Sequence, residues 1–278
     1  MPRRLRLDAE LVRRGLARSR EHASELIAAE RVKVAGAVAT KPATGVTTDV
    51  ALLVTEDADS PDYVSRGGHK LAGALEVFIP RGLVVAGRRC LDAGASTGGF
   101  TDVLLRNDAR EVVAVDVGYG QLAWSLRQDP RVSVYDRMNI RDLTPDKIDG
   151  PVDLAVGDLS FISLRLVLDA LLGVMNPDGD LSLMVKPQFE VGRSKVGKGG
   201  VVRDLDMRTS AVASVAELAA TKGWGAQSVT TSPLPGPSGN VEFFLWLRKA
   251  EPRVFESEIA LEVRRTSAWG APGEKVDS

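Results

Sequence analysis

The sequence predicts an α/β protein: a Rossmann-like, doubly wound and mostly parallel sheet with an antiparallel edge strand, preceded by a small N-terminal α+β domain. From Gly67 onward, short apolar strands alternate with helical segments, as βαβ units require. The last two predicted strands follow each other without a helix, which permits an antiparallel edge. Residues 1–54 hold ten Lys/Arg against six Asp/Glu in a chain of net charge −1, so they form a distinct basic module.

The basic module begins with two predicted helices. Apolar side chains recur at helical spacing over 7–27, and Gly15 interrupts the pattern. Ser19 is a suitable N-cap for the second helix. Two short strands follow, in "RVKVAGAVATKP" and "DVALLVTE". We expect this domain to cover 1–60, followed by a linker over 61–66 in a polar, proline-containing stretch.

Strand and helix alternate through the second domain, which we place at 67–250. Its predicted helices cover 70–78, 98–108, 120–129, 164–175 and 207–223. Its predicted strands cover 89–94, 111–117, 132–137, 152–160, 179–187, 225–234 and 240–248. Residues 251–278 are charged and end in glycine and proline, so we expect a short helix and a frayed tail.

Composition argues against several classes of protein. The single cysteine, Cys90, excludes a disulfide within the chain and a cysteine-cluster metal site, and two histidines argue against a histidine-based zinc site, so we predict no metal. The N-terminus lacks the apolar segment of a secretory signal, and no window approaches 18 uninterrupted apolar residues. We expect a cytoplasmic protein without a membrane segment, and a monomer.

The stretch "CLDAGASTGGFTDV" reads as a strand end, a glycine loop and a helix start. It lacks the lysine of a phosphate-binding P-loop, because Phe100 follows Gly99. Ser96 stands where the dinucleotide fingerprint requires its second glycine. The remaining alternatives are a different nucleoside ligand or a tight strand–helix turn with no ligand.

An acid after the next strand favours a nucleoside ligand. Asp116 follows Gly94 by 22 residues, where a carboxylate accepts hydrogen bonds from a ribose diol. A small cationic nucleoside that carries an amino acid fits both features, which indicates S-adenosylmethionine, with Asp92 at its ammonium group. The predicted cofactor-binding residues are Asp92, Gly94, Ala95, Ser96, Gly98, Gly99, Phe100, Asp116, Val117, Asn139, Asp142 and Asp158.

The absence of two motifs limits which kind of atom can accept the methyl group. Methylation of a pyrimidine carbon needs a cysteine nucleophile, and Cys90 lies inside a predicted strand. Methylation of an exocyclic amine usually uses a Pro-Pro-aromatic loop after the fourth strand, and that position here reads "GDLSF". We therefore consider a sugar hydroxyl as the acceptor.

Four ionisable residues occupy strand or helix positions near the predicted ligand edge. Asp158 ends the fourth strand, Lys186 ends the fifth, Glu242 lies on the last strand, and Lys70 lies on the helix before the first strand. Such charges are costly in apolar runs unless they are paired, so buried ion pairs that hold the sheet are one interpretation. In the catalytic interpretation, Lys186 takes the hydroxyl proton with Lys70 nearby, while the acids orient the lysines, and no metal is needed.

These four residues resemble the K-D-K-E tetrad of the FtsJ-like ribose 2′-O-methyltransferases, a family with the class I methyltransferase fold. The whole chain resembles the TlyA family, in "SRGGHKLAGALE", "CLDAGASTGGFTDVLL", "VDVGYGQLAWSLR", "DLSFISL", "VKPQFEVG" and "SPLPGPSGNVEFFLWL". The resemblance implies methylation of cytidine 2′-hydroxyls in ribosomal RNA, 16S, 23S or both, and an effect on antibiotic susceptibility. Members are often labelled haemolysin.

The basic module resembles the alpha-L RNA-binding fold, in "RLDAELVRRGLARSREHASELI". Arginine predominates there, and its planar fork suits phosphate, although a solvated helix face is the simpler interpretation. A second basic loop, "GRSKVGKGG" at 192–200, is expected to order over bound RNA. The predicted RNA-binding residues are Arg3, Arg4, Arg6, Arg13, Arg14, Arg18, Arg20, Arg66, Arg193, Lys195 and Lys198. We expect Trp124 and Phe161 to lie in the core.

Two rival functions remain. A small-molecule O-methyltransferase or a nicotinamide oxidoreductase would also use a doubly wound sheet, but a small substrate has no need of the basic module. A membrane-active protein, as the haemolysin label suggests, would need a spanning helix or a strongly basic amphipathic segment, and the sequence has neither.

Overall fold

The computed structural model describes residues 4–17, 19–55, 62–192, 196–197 and 199–267. Packing within the chain divides it into two compact units, Met1–Val64 and Ser65–Ser278. Each unit has its own hydrophobic core, so we describe each separately.

The N-terminal unit combines two helices with short antiparallel strands. Its elements are β1 (Leu5–Arg6), α1 (Leu7–Arg13), α2 (Arg20–Ala28), β2 (Val32–Val34), β3 (Ala37–Val38), β4 (Gly45–Val46) and β5 (Leu52–Val54). The predicted N-cap is confirmed, because the Ser19 hydroxyl accepts a hydrogen bond from the His22 amide. One sheet has the order β3-β2-β5, while β1 pairs with β4. Leu7, Leu11 and Ile27 are fully buried between the helices and strands.

The larger unit carries a seven-stranded sheet flanked by helices. Its elements are α3 (Gly67–Phe78), β6 (Arg89–Ala93), α4 (Gly99–Arg106), β7 (Glu111–Val115), α5 (Trp124–Arg127), β8 (Val132–Tyr135), β9 (Val152–Gly157), α6 (Leu168–Gly173), β10 (Met175–Val185), α7 (Pro187–Glu190), α8 (Leu205–Thr221), β11 (Gly225–Thr231), β12 (Phe243–Arg248) and α9 (Glu256–Arg264). The strand order is β11-β12-β10-β9-β6-β7-β8.

The predicted fold class is confirmed. Strands β6 to β10 pair in parallel, and most of their buried positions are apolar, as expected for a parallel sheet that is covered on both faces. Antiparallel pairing is confined to one side of the sheet, where β12 lies between β10 and the outermost strand β11 and runs opposite to both. Strand β12, the last one within the described residues, therefore lies one position inside the edge of the sheet.

Two predicted helices are shorter than the sequence indicates. Of the helix predicted over 120–129, the structure forms only α5 (Trp124–Arg127). Gly120 adopts a left-handed backbone conformation, with φ of 66°, before this helix starts. The prediction over 164–175 divides into a 3₁₀ turn at Leu164–Leu166 and α6. Within the described ranges, no helix combines the length and apolar character needed to cross a bilayer.

Candidate active site

The glycine loop lies at the carboxyl ends of the parallel strands, between β6 and α4. Strands β6 and β9 are neighbours, and the chain extends outward from them in opposite directions, to β7 and β8 on one side and to β10 on the other. Open α/β sheets bind ligands at such a switch point.

Two consecutive glycines let the start of α4 pack closely against other parts of the unit. Gly98 has φ of 98°, and a Cβ there would lie 2.3 Å from a methyl carbon of Leu126. A Cβ on Gly99 would lie 2.3 Å from the Ser65 hydroxyl and 2.7 Å from the backbone nitrogen of Gly68. Larger residues at either position would force the start of α4 away from its neighbours.

A cavity of about 180 Å³ opens beside the loop. Six of its lining residues belong to the predicted cofactor set, namely Gly94, Ala95, Ser96, Gly99, Phe100 and Asp158. Three others, Ser65, Gly67 and Thr97, were not predicted. Ser65 and Gly67 precede the loop by about thirty residues in the chain, so only folding brings them to it. The feature of the sequence that could have indicated Ser65 and Gly67 is the glycine pair in "SRGG", at the start of the helix that carries Lys70.

Asp92 is fully buried at the end of β6. One carboxylate oxygen accepts a hydrogen bond from the Thr101 hydroxyl at 2.7 Å, whereas the other has no hydrogen-bond partner among the described residues. Burial raises the pKa of Asp92 to about 7, and the nearby Asp158 and Asp116 add to the increase, although the Thr101 hydrogen bonds oppose it. An unpaired buried carboxylate oxygen is costly, so it indicates a place for a donor that a ligand brings.

Asp116 holds the glycine loop from the next strand. Its two oxygens accept hydrogen bonds from the backbone nitrogens of Ser96, at 2.8 Å, and Gly118, at 2.6 Å. Asn139 instead caps a 3₁₀ turn by accepting from the Arg141 amide, and Asp142 is exposed. The other six predicted residues lie outside the cavity lining, and their contact with a cofactor stays a prediction: Asp92, Gly98, Asp116, Val117, Asn139 and Asp142.

The four predicted catalytic residues form two ion pairs. Lys70 Nζ lies 2.5 Å from Glu242 Oε2, and both side chains are buried. Lys186 Nζ lies 2.5 Å from Asp158 Oδ1, an ion-pair contact without hydrogen-bond geometry. Both pairs join residues more than 25 positions apart in the chain, so the tertiary structure creates them.

The sheet register brings the two pairs to one edge. Val185 of β10 pairs with Phe243 of β12, and the two strands run antiparallel. Lys186, which follows Val185, and Glu242, which precedes Phe243, therefore lie side by side at the same end of the two strands. The Asp158 amide donates to the Ala93 carbonyl at the end of β6, and Asp158 also lines the cavity. Asp158 therefore connects the lysine edge to the glycine loop.

One hydroxyl near this edge was not predicted. Lys186 Nζ donates a hydrogen bond to Ser160 Oγ at 2.8 Å. Serine is common in turns, so "GDLSF" gave no signal that this hydroxyl meets a lysine 26 positions further on.

Two aromatic residues are exposed, contrary to expectation. Phe161 is 91% exposed and Trp124 is 74% exposed, so placing them in the core was wrong. Phe161 has φ of 64°, which is rare for a bulky side chain and turns the ring outward against Phe189, with ring centroids 5.5 Å apart.

Buried acids already engage several of the predicted RNA-binding arginines. Arg6 and Arg20 both hydrogen-bond Asp8, and the Arg6 hydrogen bonds lower the pKa of Asp8 to about 2 against the opposing effect of burial. Arg13 and Arg14 both bind the buried Glu10 in the same way. Sequence reasoning missed these pairings because it counted the acids only as charge.

Arg14 has a further role in its own unit, and the other predicted cations are either exposed or outside the described residues. Arg14 also donates to the carbonyls of Val50 and Thr48, so it fastens a loop of its own unit. Arg4 and Arg66 are exposed. The predictions on Arg3, Arg18, Arg193, Lys195 and Lys198 fall outside the described residues.

A larger cavity of about 510 Å³ lies among Arg165, Glu190 and the first turns of α8. It contains none of the predicted catalytic or cofactor residues. Across the described part of the chain, no group of three or more His, Cys, Asp or Glu side chains is arranged to hold a metal ion.

The glycine loop at the switch point lies near the acids at the ends of β6 and β7, and the two lysine–acid pairs lie at the same edge of the sheet. These features define the class of protein as an α/β methyltransferase, to which a small domain of a nucleic-acid-binding type is joined. Residues 63–249 match the FtsJ-like methyltransferase family, and residues 5–50 match the S4 domain.

Relatives support the same class. A 16S/23S rRNA (cytidine-2′-O)-methyltransferase TlyA of Mycobacterium tuberculosis is 59% identical over 258 residues, which are 93% of this chain and 95% of the relative. Hemolysin A of Brachyspira hyodysenteriae is 35% identical, over 86% of this chain and 98% of the relative. A hemolysin-named protein of Streptococcus thermophilus, of known structure, has a TM-score of 0.71 at 37% identity, covering 96% of this chain and 97% of its own. The chain belongs to the TlyA family of FtsJ-like methyltransferases, which confirms the resemblance found in the sequence.

Proposed function

We propose that this protein transfers a methyl group from S-adenosylmethionine to the 2′-hydroxyl of cytidine in ribosomal RNA. The Mycobacterium relative, 59% identical, is named for that reaction on 16S and 23S rRNA. The observation that carries the proposal is the position of Asp158, which contacts Lys186 and also lines the cavity at the glycine loop. Asp158 therefore joins the proposed base, Lys186, to the proposed cofactor pocket.

The cavity and the acids next to its glycine loop have features that fit the cofactor. The unpaired Asp92 oxygen is an acceptor for its ammonium group. Gly94 and Gly99 line the cavity, where the amino-acid part of the cofactor is proposed to bind, and Asp116 follows β7, where a carboxylate in this type of fold binds a ribose diol. When bound, S-adenosylmethionine supplies an electrophilic methyl group on its sulfonium.

The side chains at the edge then prepare the nucleophile. A ribose hydroxyl attacks well only as its proton leaves, and Lys186 is the amine placed to accept that proton. Asp158 orients Lys186 and stabilises the ammonium that forms. Glu242 does the same for Lys70, whose charge lies at the same edge and favours negative charge on the 2′-oxygen.

The S4 domain is proposed to bind ribosomal RNA through its backbone. Its exposed guanidinium groups, such as Arg4, suit phosphate contacts that do not depend on base sequence. We propose the divisions 1–60 for this domain, 61–66 for the linker, 67–250 for the methyltransferase domain and 251–278 for the tail. Since ribosomes are the substrate, we place the protein in the cytoplasm.

Methyl transfer to isolated ribosomal subunits tests the proposal. Tritium from labelled cofactor should enter 16S rRNA, 23S rRNA or both, and primer extension should map it to a cytidine ribose. Lys186→Met and Asp158→Asn should each lower kcat by roughly 10²–10⁴-fold, the usual contribution of a general base. Lys222→Met is the matched control, because Lys222 is also ion-paired but lies at the surface against Asp169. Full activity in both active-site variants would contradict the proposed base.

A further inference from the structure

We propose that Ser160 is a positioning residue for Lys186, an inference that rests on the proposed function. Ser160 Oγ accepts a hydrogen bond from Lys186 Nζ at 2.8 Å, and the lysine side chain is only 8% exposed. The hydroxyl comes from the loop after β9, whereas the lysine directly follows β10. The contact therefore joins the ends of two neighbouring strands at the reacting edge.

The geometry of an amine explains why a second partner matters. A lysine nitrogen has three tetrahedral positions besides its bond to Cε. In the neutral form that accepts a proton, two positions carry N–H groups and the third carries the lone pair. Ser160 accepts a hydrogen bond from one N–H, whereas Asp158 attracts the amine without hydrogen-bond geometry, so Ser160 is the partner that fixes the direction of an N–H and thereby restricts the lone pair. With Asp158 alone, the amine could rotate about its Cε–Nζ bond between several orientations, and only some of them would direct the lone pair at the ribose hydroxyl.

Other contacts hold the Ser160 loop in place without the hydroxyl. The Phe161 ring packs on Phe189, three residues after Lys186. The Ser163 hydroxyl and the Leu164 amide both donate to the buried Glu190, at 2.5 and 2.7 Å. Because these contacts fasten the loop to α7 independently, removal of the Ser160 hydroxyl should loosen Lys186 and leave the backbone unchanged.

The test uses the full-length protein and measures methyl transfer to ribosomal subunits. Ser160→Ala should lower kcat between about tenfold and a hundredfold, while KM for the subunits and Kd for S-adenosylhomocysteine, measured by calorimetry, stay within about twofold. Ser160→Thr keeps a hydroxyl and should restore kcat to within about threefold of the wild type. Ser163→Ala is the matched control, because it removes a hydroxyl from the same loop that contacts Glu190 rather than Lys186; it should change kcat by less than about twofold.

Each outcome has a defined meaning. Wild-type kcat in Ser160→Ala together with an inactive Lys186→Met overturns the positioning role and leaves the proposed function standing. Equal losses in Ser160→Ala and Ser163→Ala, or no restoration by threonine, show that the loop and not the hydrogen bond is responsible, which also overturns it. Full activity in Lys186→Met removes the proposed base itself.

Discussion

Replacement of Asp92 by Asn is predicted to stabilise the cofactor-free protein at high pH. The buried Asp92 carboxyl has a pKa of about 7 in the folded protein, against 3.8 as the ordinary value. Because the folded-state pKa is the higher one, the unfolded chain loses its proton first as the pH rises. Stability is therefore lost progressively between about pH 4 and pH 7, and the loss is complete above the folded pKa.

The magnitude follows from the two pKa values. The change from 3.8 to about 7 corresponds to about 4 kcal/mol of destabilisation above pH 8. At pH 5 only about 2 kcal/mol of this is present, since the folded carboxyl is still protonated. Asparagine has the same shape and no charge, and its amide oxygen can still accept from Thr101. The stability difference between Asp92→Asn and the wild type should therefore grow by about 2 kcal/mol between pH 5 and pH 8.

Urea unfolding followed by tryptophan fluorescence measures this difference. All four tryptophans follow residue 65, so the signal reports the larger unit. Asp178→Asn, at an exposed position, is the control and should show the same difference from wild type at both pH values. A difference for Asp92→Asn that does not change with pH would refute the reasoning, because it would mean that Asp92 is ionised alike in the folded and unfolded chains.

Two further substitutions test how closely the unit is packed. Gly99→Ala should abolish S-adenosylhomocysteine binding in calorimetry, because the added Cβ would lie 2.7 Å from the Gly68 nitrogen. Gly173→Ala is the control and should bind normally, because the space around Gly173 is open. Normal binding by both variants would contradict the close approach at Gly99. Asn240→Ala should lower the free energy of unfolding by about 2–4 kcal/mol in urea titrations, because the buried Asn240 bonds the Val202 amide and the Gly200 carbonyl; a loss below about 0.5 kcal/mol would show that these groups find other partners.

Much of the site was predictable because its parts are local in sequence. The glycine loop and the helix start after it occupy consecutive residues, and Asp116 follows one strand later. Strand–helix alternation then places the ends of successive parallel strands at one edge, so Asp158 and Lys186 could be assigned to that edge from their positions alone. Their charges in apolar surroundings indicated that they needed partners.

Partner identity was not predictable, since it depends on packing between distant segments. Each lysine could have paired with either acid. The antiparallel insertion of β12 beside β10 and the position of α3 decide that Lys70 meets Glu242 while Lys186 meets Asp158. Ser65 at the cavity and Ser160 at Lys186 were missed for the same reason. The exposure of Phe161 was also hidden, because an apolar side chain in a left-handed backbone conformation leaves no mark in the hydrophobic pattern.

The sequence by itself determined the doubly wound sheet, the basic N-terminal domain and the set of charged residues at the carboxyl edge, because hydrophobic periodicity and turn chemistry act over a few neighbouring residues. Only the tertiary structure decided which charges neutralise each other. It paired Arg20 of α2 with Asp8 of α1, left one oxygen of Asp92 without a hydrogen-bond partner among the described residues, and gave Lys186 both an acid and a hydroxyl. Those choices depend on distances of a few ångströms between residues far apart in the chain, and only the packed core fixes such distances.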